Sequence, residues 1–118
     1  MTAVFTSGQY TGGYGDLSIY ITVGNIIYTS PTTGVFAGNC NYYGDFISLS
    51  GTFNTPNIGS AQGTVIRMQS TQSSGTRVSG LNIELNAADP YYSLLEGSHT
   101  IHFTNSTWGT NYLGVRRV

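Results

Sequence analysis

The sequence predicts an all-β domain, a compact antiparallel β-sandwich or small barrel of about eight short strands with one short helix near 90–96. Three observations predict it. Apolar residues recur with a period of two almost everywhere, as they do in half-buried strands whose side chains alternate between two faces. The apolar runs are rich in β-branched and aromatic residues. Stretches of turn composition, rich in Gly, Asn, Ser, Thr and Pro, separate them at short intervals. A length of 118 residues suits one β domain over 1–118, and an apolar content of 39% excludes a disordered chain.

Val4 to Tyr10 is the first expected strand. In the next, Leu17, Ile19, Ile21 and Val23 alternate with Ser18, Tyr20 and Thr22. Gly24-Asn25 then precedes Ile26-Ile27-Tyr28-Thr29, and two residues with Gly first predict a type II′ hairpin turn. Val35 to Tyr42 follows the Pro31-Thr32-Thr33-Gly34 loop, and Phe46 to Phe53 follows a Gly44-Asp45 turn. A loop at 54–60 leads to Thr64 to Ser70, and a Ser/Gln/Gly turn leads to Arg77 to Leu85. Leu81, Ile83 and Leu85 share a face with Val78 out of phase, which places a bulge at Gly80. Arg67 is expected to pair with Glu84 on a neighbouring strand. Asp89 as cap, Pro90 in the first turn and Gly97 as terminator predict the helix. His99 to Thr104 and Tyr112 to Val118 complete the chain.

The chain contains no lysine; its formal charge comes from four arginines and five carboxylates, giving −1. Binding to nucleic acid or to an anionic membrane needs several clustered cations, and beyond the Arg116-Arg117 pair the sequence has no basic run or stripe. No apolar run is long enough for a transmembrane segment, and Met1-Thr2-Ala3-Val4-Phe5 has no signal-peptide pattern. A surface wetted by Ser, Thr, Asn, Gly and nine tyrosines favours an extracellular, virion or cell-surface setting and neutral, hydroxyl-rich partners. Strands without lysine lack a common protection against edge pairing, so the edges are expected to be closed, covered or used in a homo-oligomer. Cys40 is alone and reads as a small buried residue.

The cluster Thr107 to Tyr112 holds the only tryptophan among small polar residues. Trp108, Asn111 and Tyr112 combine an aromatic plate with polar partners, the pairing that matches the C–H faces and hydroxyl edges of a sugar. Tyr14-Gly15-Asp16 and Tyr43-Gly44-Asp45 echo one another ahead of strands, so Tyr14, Asp16, Tyr43 and Asp45 join the candidate site. Asp16 and Asp45 also fit plain turn chemistry, and their use as a hydrolytic pair requires a separation that spacing along the chain does not define. His99 and His102, three apart on a strand, point to opposite faces and cannot chelate one ion. Gly12-Gly13-Tyr14-Gly15 has no following Lys and is no phosphate loop. No nucleophile elbow, cofactor motif or dense Asp/Asn calcium loop is present.

The resulting expectation is a non-catalytic, lectin-like module that recognises neutral glycans without a cofactor. One alternative is a self-assembling structural protein such as a viral or phage fibre or decoration component. Another is a small barrel that holds an apolar ligand, or an enzyme on that frame.

Overall fold

The computed structural model describes residues 5, 7–14, 17–42, 44–56, 60–73 and 76–118, with the backbone alone at 13, 14 and 17. Eight strands run up and down in sequence order: β1 (Gly8–Tyr14), β2 (Leu17–Tyr28), β3 (Thr33–Tyr42), β4 (Asp45–Asn54), β5 (Val65–Ser73), β6 (Val78–Ala87), β7 (Leu94–Phe103) and β8 (Trp108–Arg117). Each pairs antiparallel with the next, and β1 pairs with β8, so the sheet closes as a barrel. Of the two architectures open to the alternating pattern, closure selects the barrel, which has no sheet edge to protect. Among the described residues no helix is long and apolar enough to cross a membrane.

The inward phase of every strand fills the interior. Ile19, Ile21 and Val23 on β2, Ile47 and Leu49 on β4, and Leu81, Ile83 and Leu85 on β6 are all buried. Phe36 on β3 lies opposite Gly51 on β4, and a Cβ on Gly51 would come within 2.2 Å of the Phe36 ring. A glycine opposite an aromatic is thus how the narrow lumen accepts a large ring. Cys40 is buried as expected, and burial pushes its thiol up to about 12, which removes the reactive thiolate at ordinary pH.

Two local expectations are overturned. Gly24-Asn25 is no hairpin turn: β2 continues through it, with Val23 opposite Gly38 and Ile26 opposite Phe36. Three steps on β2 match two on β3, which is a β-bulge; it returns Ile26 to the inward phase, where it packs on the core. Gly24 suits the bulge because a Cβ there would meet the Ala37 carbonyl oxygen at 2.7 Å. The helix expected near 90–96 is also absent. Its cap forms, but as a turn: the Asp89 carboxylate accepts hydrogen bonds from the amides of Tyr91, Ser93 and Leu94. Desolvation opposes the charge, yet the hydrogen bonds from Leu94, Ser93 and Tyr91 prevail and hold the Asp89 carboxyl below its ordinary value. Tyr92 then takes a φ of 59°, which ends any helical path, and Leu94 and Leu95 enter the ladder with β8. The expected bulge at Gly80 is present, between Val78 and Gly80, and it brings both Val78 and Leu81 inward.

Alternation of strand direction gathers the connections β1–β2, β3–β4, β5–β6 and β7–β8 at one end of the barrel, and the other connections with the start of β1 and the end of β8 at the opposite end. A plug covers that opposite end. Phe5 lies in it at 1% exposure, in contact with Phe36, Phe53 and Tyr92. Tyr10 donates to the Tyr92 carbonyl at 2.9 Å, and Tyr92 and Thr64 share a hydroxyl hydrogen bond of 3.1 Å. Arg117 donates to the Tyr10 hydroxyl and to the Ser7 carbonyl, so the end of β8 is tied to the plug.

His99 and His102 separate as the strand geometry requires. His99 is 1% exposed, and its Nε2 shares a 3.1 Å hydrogen bond with the Tyr42 hydroxyl, while His102 is exposed. Burial holds the His99 imidazole below its ordinary value, against a hydrogen bond with the Asn111 backbone. An unfolded His99 therefore takes up a proton at higher pH than the folded one. The contribution of a neutral buried His99 is full above about pH 6.5, the ordinary histidine value, and is lost as pH falls from there through the lowered folded value. Thermal unfolding followed by circular dichroism should show a melting temperature that falls between pH 7 and 5 in the native protein and in His102→Ala. His99→Phe should flatten that dependence; an unchanged slope in His99→Phe would contradict the assignment.

Candidate functional site

Strand β8 begins at Trp108, earlier than the Tyr112 start expected from the sequence, so Trp108 sits within a strand and not in a turn. Its phase is outward. Trp108 is 67% exposed and Tyr112 59%, on the same face, with Thr110 between them. The lone tryptophan therefore does not cap the core. On β7 the His102 ring, opposite Trp108 in register, stacks on it with centroids 6.4 Å apart and an interplanar angle of 29°. Thr100 and Thr110 face each other one step along and share a 2.8 Å hydrogen bond. Tyr112 donates to Glu96 at 2.9 Å, and that hydrogen bond raises the phenol above its ordinary value.

The register extends this face across three more strands, β6, β5 and β4. One row runs Thr52, Arg67, Glu84, Ser98, Tyr112, and the next runs Ser50, Gln69, Asn82, Thr100, Thr110. The rows belong to the outward phase, and their members on β4 to β7 line a groove of about 580 Å³ whose floor is formed at Met68 and Ile83. A closed, twisted sheet has a hyperboloid outer surface, which is concave along the barrel axis. Within the groove Arg67 Nε donates to Glu84 Oε2 at 3.2 Å, the pair expected from the sequence. Both side chains are exposed, so the pair adds little to stability and cancels the local charge. What the face offers is a set of hydroxyl, amide, guanidinium and carboxylate groups beside two exposed aromatic rings.

The other sequence-predicted residues take different places. Asn111 has the inward phase of β8, opposite His99, and so faces away from Trp108 and Tyr112. Asp45 is 6% exposed at the rim where β4 begins, and its Oδ2 accepts the amides of Arg77 at 3.0 Å and Val78 at 2.7 Å. Asp16 and Tyr43 lie outside the described residues, as does the side chain of Tyr14. Sequence reasoning did not assemble the groove, although its residues alternate visibly as Ser50/Thr52, Arg67/Gln69, Asn82/Glu84 and Ser98/Thr100. Only the strand order and register bring those pairs side by side. No group of three or more side chains suited to a metal ion occurs among the described residues.

This chain matches no protein-family model, no curated protein and no solved structure.

Proposed function

We propose that this protein is a non-catalytic carbohydrate-binding module that recognises neutral glycans on the outward face of β7 and β8. The observation that carries the reading is the exposed pair Trp108 and Tyr112, held on one strand face with hydroxyls between them. Aromatic rings bury the C–H faces of a sugar, and Ser98, Thr100 and Thr110 hydroxyls both donate to and accept from its edges. A rigid strand holds the two exposed rings on one face, with little entropy to lose on binding. A formal charge of −1 over the chain supports a neutral ligand. Tyr14, Asp16 and Tyr43 stay in the proposal for their phenol and carboxylate chemistry.

Trp108 is the only tryptophan, so its fluorescence reports on this face alone. Titration with neutral mono- and oligosaccharides should give a saturable change in intensity or emission maximum. An emission that no neutral sugar perturbs would count against the reading.

A second reading is supported by a different observation. Ile27 and Val35 stand opposite each other on the outward face of β2 and β3, 63% and 39% exposed. An outward apolar pair of this kind favours assembly with copies of the chain. Sedimentation should then show a defined oligomer that Ile27→Ser dissociates; a monomer at all concentrations would remove this reading.

A further inference from the structure

We propose that the groove over β4 to β7 extends the Trp108 platform into one continuous site for a linear neutral oligosaccharide laid across the strands. The inference rests on the glycan reading above and adds the length and course of the ligand. From β4 to β8 there are four of the eight inter-strand steps of the closed barrel, and at about 4.8 Å each they trace about 19 Å around the curved wall, a path for several rings of an unbranched chain that bends with the barrel rather than for one ring. The two rows of outward side chains run perpendicular to the strands without a break from the groove to Tyr112 and Thr110. Arg67 and Glu84 are paired with each other, so the groove carries donors and acceptors without a net charge that would select an anionic sugar. A guanidinium beside a carboxylate can donate to one hydroxyl of a vicinal pair and accept from the other. Gln69 and Asn82, in register on β5 and β6, present amides that do the same one step along the strands.

Isothermal titration calorimetry with mono- to hexasaccharide series of glucan, mannan and xylan tests this. In a series that binds, affinity should rise with length by at least about tenfold, the worth of one or two added hydrogen bonds. Asn82→Ala and Glu84→Gln should remove most of that gain and leave affinity for the shortest bound member unchanged, with the fold checked by circular dichroism. Trp108→Ala should weaken every length. Affinity independent of length, lost in Trp108→Ala, would overturn the extended site and leave the glycan reading standing. A gain with length that survives both groove substitutions would also overturn it. No binding at any length in all three series would remove the glycan reading for these sugars and the extended site with it.

Discussion

Phe5→Ala is expected to lower the unfolding free energy by about 3–5 kcal/mol, the range for truncating a fully buried Phe. Phe5 precedes β1 and belongs to no strand, yet its ring is 1% exposed. It meets Phe36 and Phe53 edge-on with centroids 5.5 and 5.3 Å apart, and Tyr92 at 5.3 Å. Such pairs add about 0.5–1.5 kcal/mol beyond their buried area. Truncation would leave a cavity at the barrel end that strands tied by ladders on both sides cannot collapse to fill. Since domains of this size are stable by only about 5–15 kcal/mol, the variant should unfold at much lower urea concentration. Phe5→Leu should recover most of the loss. A change below about 1 kcal/mol in Phe5→Ala would mean that the plug does not contribute to stability.

Asp45→Ala is expected to cost about 3 kcal/mol, because two amides at the rim lose a charged acceptor together. The Oδ2 atom takes both Arg77 and Val78, which ties the entry of β6 to the entry of β4. Asp45→Asn keeps an acceptor oxygen and should lose less. The pair of substitutions also separates two roles for this residue. A rim strut lowers the urea midpoint in Asp45→Ala and leaves sugar affinity intact while the protein is folded. A ligand contact does the reverse, and unchanged stability with lost binding would contradict the strut.

The period of two made the strands legible, and with it the inward set from Ile19 to Leu85. The bulge at Gly80 was legible because Val78 broke phase within a single run. The bulge at Gly24 was not, because an inserted residue and a hairpin turn both look like a Gly-led break between two apolar runs; the pairing of both halves with β3 decides between them. Asp89 was legible as an acceptor for the amides that follow it, but those bonds close a tight turn and not the expected helix. Nothing local announces the positive φ at Tyr92. Trp108 and Tyr112 were legible as site candidates from their chemistry, and their shared face follows from even spacing along β8. The groove was illegible because its residues are contributed by four strands and become neighbours only through register.

The central claim is that the outward face around Trp108 binds neutral glycans. The most direct measurement is a broad glycan array probed with labelled native protein and with Trp108→Ala, whose exposed position should leave its circular dichroism spectrum unchanged. The account predicts binding to neutral glycans by the native protein and its loss in Trp108→Ala. Silence across the array, or binding that Trp108→Ala retains in full, would contradict it.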